Sequence, residues 1–304
     1  MKDEPKNIGA SVRARLLNIS RHSGMDYQLI LTRYVLERLL YRLSVSSHKN
    51  EFVLKGAMLN AVWLADPFRN TQDLDLHART AKDAEQVATV FQEIFATTVS
   101  DDGVVFDAGK LKAEPIRENV SYGGIRILTH AILGGARVPV RIDVGFGDAI
   151  TPTPTIAEYP TLLDLPKPSL MIYPRETVVA EKFEAMVALG LTNSRMKDFH
   201  DIAVLATFFE FDGALLTKAL VATFQRRRTA LPKEAPPALT AVFLDRAETK
   251  SLWKAFVVRE AIQERFADLD EIASLLRSFL LPPTLAASRE ESFEQFWPQC
   301  GPWK

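Results

Sequence analysis

Two aspartates separated by one residue form the stretch of this sequence that is best suited to chemistry. Asp73 and Asp75 lie in DPFRNTQDLDLHA, with apolar Leu74 and Leu76 beside them. Alternation of acidic and apolar residues is typical of a β-strand, whose successive side chains point to opposite faces. The two carboxylates would share one face and repel each other. A proton on one acid, a neighbouring lysine or arginine, or a divalent cation between them would relieve that repulsion.

A third acid favours the cation. Asp143 lies between Ile142 and Val144 in the strand pattern RVPVRIDVGFGD. If this strand lies beside the first one, three carboxylates meet on one patch, which is enough for one or two Mg²⁺ or Mn²⁺ ions. Two such ions suit in-line phosphoryl transfer, because they hold the attacking and the leaving oxygen. Exposed acids on an edge strand are the alternative interpretation.

Residues on either side of the acids are suited to binding a phosphate. Lys55 and Gly56, in LKGAML, mark a turn from a strand to a helix, where backbone N–H groups and the helix dipole favour an anion. Thr71, two residues before Asp73, can donate its hydroxyl to a phosphate. The alternatives are a plain turn glycine with a solvated lysine, and a threonine that only caps a turn.

The elements that must position these residues alternate between strands and helices. Helical periodicity covers residues 11–46, and FVLKG, AMLNAVWLA, DLDLHA and AKDAEQVATVFQEIFA predict strand, helix, strand and helix in turn. After residue 98 the sequence is rich in β-branched residues and glycine pairs, which predicts strands joined by turns. The proline-rich residues 151–170 predict a surface connector, and helical periodicity dominates from about residue 176.

This order of elements predicts an α/β (α+β) fold in two domains. We expect residues 1–165 to form a mixed sheet flanked by helices, and residues 166–304 to form a mostly helical domain. The chain has 304 residues, 47% of them hydrophobic, and one cysteine, Cys300, so it has no disulfide within the chain. A net charge of -1 argues against a globally basic nucleic-acid coat. No apolar run is long enough for a membrane span, and we expect a cytoplasmic protein.

Three segments carry a family resemblance. FVLKGAMLNAVWLADPFRNTQDLDL resembles the first motif of the AbiEii/AbiGii-type nucleotidyltransferase toxins, members of the DNA polymerase β-like nucleotidyltransferase superfamily. VRIDV resembles the strand of the third carboxylate, and YPRETVVAEKFEAMVALGLTNSRMKDFHDIAVLA resembles the later motif, a helix with a lysine followed by Arg-x-Lys-Asp-x-x-Asp. The resemblance covers residues 52–206. It departs from the family at Ala57, where a second glycine or a serine is common.

The resemblance implies a magnesium-dependent transfer of a nucleoside monophosphate from a nucleoside triphosphate (NTP) to an acceptor hydroxyl. Asp73 and Asp75 would bind Mg²⁺, and Asp143 would assist the metal or activate the hydroxyl. The residues implied to contact the nucleotide are Lys55, Gly56, Arg69, Thr71 and Lys182. Asp198 and Asp201 would complete the later motif, and they share one helix face. Lys182 interrupts an apolar helix face, which suits either an anionic ligand or a lysine that extends to solvent.

The resemblance and the basic residues together predict the acceptor. The resemblance implies toxins that block translation, some of which modify the 3′ end of tRNA. Arg226, Arg227 and Arg228, in FQRRRTALPK, form a cluster that we predict binds RNA, with a solvated helix face as the alternative. Further arginines on the strands are suited to line the cleft: Arg117, Arg126, Arg137 and Arg141.

Two other functions stay open at this point. The first is a nucleotidyltransferase that modifies a protein side chain. The second is a protein that binds a nucleotide or a cognate antitoxin without turnover. The expected partners are therefore an NTP, a tRNA acceptor and an antitoxin, and no membrane.

Overall fold

The computed structural model describes residues 7–64, 71–116 and 123–304, and every structural statement below concerns these ranges. Their helices are α1 Ile8–Ser23, α2 Tyr27–Val45, α3 Leu59–Trp63, α4 Ala84–Ala96, α5 Arg175–Leu189, α6 Met196–Phe208, α7 Gly213–Arg227, α8 Ala241–Leu244, α9 Ala247–Arg259 and α10 Leu269–Ser288. Their strands are β1 Phe52–Lys55, β2 Leu74–Ala78, β3 Val104–Phe106, β4 Lys112–Ile116, β5 Gly124–Leu133, β6 Ala136–Phe146, β7 Thr155–Glu158, β8 Ser169–Ile172, β9 Phe211–Asp212 and β10 Phe296–Trp297. The predicted α/β fold class is confirmed.

The chain divides into two compact units that interleave along the sequence. Unit 1 consists of residues 1–147 and 155–172, and unit 2 consists of residues 148–154 and 173–304. The chain therefore passes from unit 1 to unit 2, returns to unit 1, and passes to unit 2 again. The division into domains at residue 165 stays a prediction.

Unit 1 is built on an eight-stranded mixed sheet. Its order is β3–β5–β6–β2–β1–β8–β7, and β4 pairs with the other part of β5. The pairs β2–β6 and β1–β8 are parallel, and the others are antiparallel. Helices α1, α2 and α4 pack on the sheet. The parallel β2–β6 pair matters most for function, because these two strands carry the acids identified above.

Two helices replace the single predicted helical stretch of residues 11–46. Gly24, with a φ of 72°, ends α1, and the side chain of Asp26 accepts hydrogen bonds from Gln28 and Leu29 to begin α2. A positive φ suits glycine, and an aspartate is a preferred N-cap, so both boundaries follow from residue type.

Strands β5 and β6 form a long hairpin with one buried and one open face. Gly134 and Gly135, with φ of 51° and 83°, make the turn between them. Alternate residues of β5, such as Ile127 and Ala131, are 0% exposed, whereas Leu128 between them is 37% exposed. Apolar side chains on one face pack under the helices, and the other face faces away from that core.

The proline-rich stretch differs from its prediction as a surface connector. Residues 155–158 form β7, which pairs antiparallel with β8 at the edge of the sheet. Prolines are tolerated next to edge strands because one side of such a strand needs no ladder hydrogen bonds. Within the described residues, no helix is both long and apolar enough to cross a membrane.

Unit 2 is mostly helical, as predicted. Its core contains Phe183 and Phe224, whose ring centroids are 5.8 Å apart, and the stacked pair Phe199 and Phe243. Phe279 of α10 packs against Trp297 of β10, with ring centroids 4.9 Å apart. The first contact joins α5 to α7 and the second joins α6 to α8, while α5 also packs on α6. The later motif lies on α5 and α6.

Candidate active site

Asp75 and Asp143 lie in a line of charged residues that crosses five strands, which we call the charged row. Strand register pairs Asp143 with Asp75, Asp75 with Lys55, Asp143 with Arg126, and Arg126 with Glu114. Register partners point to the same face of a sheet, and neighbouring strands lie about 4.8 Å apart. The two central carboxylates are therefore neighbours, with a cation on each side. The structure brings together Asp75 and Asp143, a pairing of strands that the sequence had left as a condition.

Arg126 holds Asp143 in the ionised form. Its Nε and Nη2 each donate to one carboxylate oxygen at 2.8 Å, and Nη2 of Arg141 adds a contact at 3.4 Å. Burial by itself raises the pKa of Asp143, but the hydrogen bonds and the charge of Arg126 outweigh it and hold the pKa below 3.8. Asp143 therefore carries its charge at neutral pH.

Replacing Arg126 with methionine tests this linkage. The pKa of Asp143 is lower in the folded than in the unfolded protein, so the pair stabilises the fold fully above the unfolded pKa. The stabilisation is lost as the pH falls through the folded pKa. We expect the free energy of unfolding of Arg126→Met to decrease less than that of the wild type when the pH falls from 7 to 2. The measurement is urea unfolding at pH values between 2 and 7. A loss of stability on acidification that matches the wild type would contradict the assignment.

Asp73 lies immediately before β2 and is joined to Asp143 through a second arginine. Nε of Arg141 lies 3.6 Å from one oxygen of Asp73, while its Nη2 reaches Asp143. The hydroxyl of Thr71 donates to the carbonyl oxygen of Asp73 at 3.2 Å. Thr71 thus fixes the backbone at Asp73, and its predicted contact with a phosphate stays a prediction.

Gly56 packs directly on Asp75. Its φ is 72°, and a Cβ built on it would lie 2.0 Å from a carboxylate oxygen of Asp75. The chain continues from Gly56 through a 3₁₀ turn to α3, which has five residues and begins at Leu59. The helix is therefore shorter and starts later than AMLNAVWLA predicted, so its dipole adds little to anion binding.

A side chain at position 56 should disturb Asp75. Because Gly56→Ala requires both a left-handed backbone and a shift of the Asp75 carboxylate, we expect a stability loss of about 1–3 kcal/mol. Nucleotidyl transfer should fall further than stability accounts for, since Asp75 itself moves. The measurement is urea unfolding together with transfer rates at a temperature where the variant is fully folded. Gly109→Ala is the control, because a Cβ there meets its nearest atom at 3.6 Å and no positive φ is required.

The later motif forms a second network of charges, within unit 2. Lys182 of α5 lies 2.8 Å from Asp198 and 2.9 Å from Asp201, both on α6. Nε of Arg195 donates to the other oxygen of Asp198 at 2.7 Å. Burial raises the pKa of Asp198, and Lys182 and then Arg195 outweigh it and lower the pKa. The structure thus gathers the three predicted residues and adds Arg195.

His200 is a member of this network that the sequence did not reveal. It is 1% exposed, and its Nδ1 lies 3.4 Å from an oxygen of Asp201. Its ring packs edge-on against Phe256 and Phe266. The only sequence signal is its position beside Asp201, which is too weak to single it out.

The three arginines predicted to bind RNA differ in their surroundings. Arg227 contacts Glu184 at 2.9 Å, Glu181 at 3.3 Å and Asp148 at 3.4 Å. Burial lowers its pKa, but Glu181, Glu184 and Asp148 together raise it. Arg227 is thus engaged by acids inside unit 2, whereas Arg226 and Arg228 are exposed. RNA contact by this cluster stays a prediction. Arg69 and Arg117 lie outside the described residues.

The carboxylates fit a magnesium ion that is bound together with its substrate. In residues 7–64, 71–116 and 123–304, no three His, Cys, Asp or Glu side chains are arranged to hold a metal ion. Mg²⁺ commonly uses only one or two protein carboxylates and takes its other ligands from phosphates and water. Asp73 and Asp75 suit that donor set, while Asp143 is occupied by Arg126. The metal role of all three acids stays a prediction.

Comparison with known proteins identifies the family. Among solved structures, JHP933 from Helicobacter pylori matches with a TM-score of 0.50 and 14% identity, over 88% of this chain and 92% of that one. A second H. pylori structure, described as a candidate nucleotidyltransferase, matches with a TM-score of 0.48 and 14% identity, over 88% and 95% of the two chains. The likeness to JHP933 supports the fold, and no curated protein matches significantly. The family model described as the nucleotidyl transferase AbiEii toxin of type IV toxin–antitoxin systems matches residues 38–279. The chain therefore belongs to the AbiEii nucleotidyltransferase toxin family.

Proposed function

We propose that this toxin transfers a nucleoside monophosphate from an NTP to the 3′-terminal hydroxyl of tRNA in a magnesium-dependent reaction, and thereby blocks translation. Membership of a nucleotidyltransferase family of toxin–antitoxin systems supports an NTP substrate and an antitoxin partner. The observation that carries the proposal is the register of β2 and β6, which makes Asp75 and Asp143 neighbours. Asp73, immediately before β2, is linked to Asp143 through Arg141.

In this proposal Asp73 and Asp75 hold the metal and the NTP. When bound by Asp73 and Asp75, Mg²⁺ supplies positive charge to the phosphates and stabilises the leaving pyrophosphate. Gly56 lets the backbone approach Asp75 closely, so the Lys55–Gly56 turn lies at the edge of the phosphate site. Such a site acts by positioning and electrostatics, with no covalent intermediate on the protein.

Asp143 orients the acceptor hydroxyl and does not act as the general base that accepts its proton. A carboxylate whose pKa is held low by Arg126 is a weak base. It can still accept a hydrogen bond from the attacking hydroxyl and so orient a lone pair of the hydroxyl oxygen toward the α-phosphorus. As the new O–P bond forms and the bond to pyrophosphate breaks, the hydroxyl proton passes to solvent. Arg126, which grips both oxygens of Asp143, fixes the direction of that hydrogen bond.

Lys182 keeps in this proposal the phosphate-binding role that the family resemblance implies. Its side chain is 16% exposed and is held by Asp198 and Asp201. The two acids fix the position of the ammonium group. We propose that Lys182 contacts the phosphates of the NTP.

The test is transfer of label from an NTP. The protein is incubated with each α-labelled NTP, Mg²⁺ or Mn²⁺, and total tRNA, and the products are separated into RNA and protein. We expect label on the 3′ end of tRNA, lost with chelator. Label on protein instead would establish the protein-modifying alternative, and no label on either would favour binding without turnover. Asp245→Asn, at an exposed ion pair with Lys250, is the control that should keep full activity.

A further inference from the structure

The open face of the β5–β6 hairpin extends beyond the charged row. We define this open face by Lys112 of β4, Leu128, His130 and Ile132 of β5, and Arg137 and Arg141 of β6. Register pairs Lys112 with Leu128, Leu128 with Arg141, and Ile132 with Arg137. Because register partners point the same way, these side chains form rows parallel to the charged row and on the same face. The surface is therefore continuous with the site of Asp75 and Asp143.

The open face is basic and partly apolar. The acids of β3 to β6 are Glu114 and Asp143, and both belong to the charged row. Leu128 and Ile132 are 37% and 40% exposed, and Val105, the register partner of Ile132, is 67% exposed. Asp107, in the turn beside β5, lies 3.7 Å from the amine of Lys110. Beyond the row the strands thus present cations and exposed aliphatic side chains.

The three arginines of the hairpin have different partners. Arg126 and Arg141 turn toward Asp143 and Asp73. Arg137 donates instead to Nδ1 of His130 at 3.1 Å, a neutral acceptor that leaves its charge uncompensated in this contact. Arg137 is exposed. The charge of Arg137 is therefore not used in a contact with the carboxylates of Asp73 and Asp143, and it is available on the open face.

We infer that the open face binds a single-stranded polynucleotide whose free 3′ hydroxyl reaches Asp143. The inference rests on the proposed function, because it gives the acceptor a path to the site. Six residues of strand separate Arg137 from Asp143, which is about 20 Å at 3.3 Å per residue and spans several nucleotides. Arg137 and Lys112 pair with phosphates, and Leu128, Ile132 and Val105 contact the apolar edges of sugars and bases.

Charge complementarity favours this occupant over a protein. A phosphodiester chain carries one negative charge per nucleotide and matches cations placed at intervals along a strand. The fixed position of Asp143 at one end of the face suits a ligand with a single reactive terminus. In the other candidate region, Arg227 is already held by acids.

The test is direct binding of a labelled oligonucleotide, without catalysis. Fluorescein-labelled single-stranded RNA and DNA with a free 3′ hydroxyl are titrated with the full chain carrying Asp75→Asn, at several salt concentrations. Adding Arg137→Glu should raise the Kd at least about tenfold and lower the salt slope by about 1. Lys167→Glu is the matched control, since it makes the same charge change beside β8, at the opposite edge of the sheet. Circular dichroism and thermal unfolding confirm that each variant is folded.

The outcomes separate the inference from the proposed function. Unchanged affinity in Arg137→Glu, equal losses in Lys167→Glu, or no binding of either oligonucleotide would overturn it and leave the face to a protein partner. Loss of binding in Arg137→Glu with no label transfer to any RNA by the wild type would support the surface and refute RNA as the acceptor. RNA bound more tightly than DNA would identify the 2′ hydroxyl as part of the contact.

Discussion

Replacing Asp75 with asparagine is expected to abolish nucleotidyl transfer while leaving the protein about as stable as the wild type. Loss of a carboxylate that holds the metal and the triphosphate removes several kcal/mol of transition-state stabilisation, so kcat/KM should fall on the order of a thousandfold or more. The fold gains little from this charge, because the attraction of Lys55 on one side of Asp75 is offset by the repulsion of Asp143 on the other. The combination of lost activity and kept stability marks a residue retained for function.

The control for Asp75 comes from the same row. Glu114→Gln removes a negative charge at the end of the row, three strands away from Asp75. It should keep transfer within about threefold, since charge at that distance is screened by solvent. Labelled-NTP assays and urea unfolding are run on both variants. Transfer that survives in Asp75→Asn would refute the proposed site.

The second large effect is on stability, at Lys182. Lys182→Met leaves the carboxylates of Asp198 and Asp201, 1% and 5% exposed, without their shared cation. Removing one partner of a buried ion pair costs about 3–5 kcal/mol, because the remaining charge has lost its compensation. We expect a lower urea midpoint of this order, together with loss of transfer. Adding Asp198→Asn and Asp201→Asn should restore much of the stability but none of the activity.

A surface lysine provides the comparison for Lys182. Lys250 pairs with Asp245 at 3.1 Å, and both side chains are more than half exposed. Lys250→Met should leave the urea midpoint unchanged, because water already screens that pair. If Lys182→Met lowered the urea midpoint as little as Lys250→Met, the network of the later motif would not contribute to stability. Restored activity in the triple variant would remove Lys182 from the proposed phosphate contact.

The sequence predicted the strands that carry the acids, because alternation of acidic and apolar residues is a local property. It could not predict which strands are neighbours. The pairing of Asp75 with Asp143 depends on a parallel register between strands separated by more than sixty residues. The role of Arg126 is hidden for the same reason, since only the β5–β6 register places it opposite Asp143. Arg141 was within reach of sequence reasoning, as it lies two residues before Asp143 and shares its face.

The helical part shows the same division. That Asp198 and Asp201 share a face followed from their spacing. Their joint contact with Lys182 required the packing of α5 on α6, which periodicity cannot specify. Likewise, a cluster of three arginines in the sequence gave no sign that Arg227 lies among Glu181, Glu184 and Asp148. The prolines of residues 151–170 predicted only a connector. Residues 155–158 form an edge strand there because they pair with β8.

The interleaved course of the chain limits how the protein can be dissected. A fragment that stops at residue 147 lacks β8, the parallel neighbour of β1. Its sheet would therefore end at β1, the strand that leads to Gly56. A fragment that starts at residue 173 lacks Asp148, one of the acids that compensate Arg227. No single cut therefore yields two intact units. A protease that cuts after residue 172 should leave two pieces held together by residues 148–154, which belong to unit 2 but remain on the first piece.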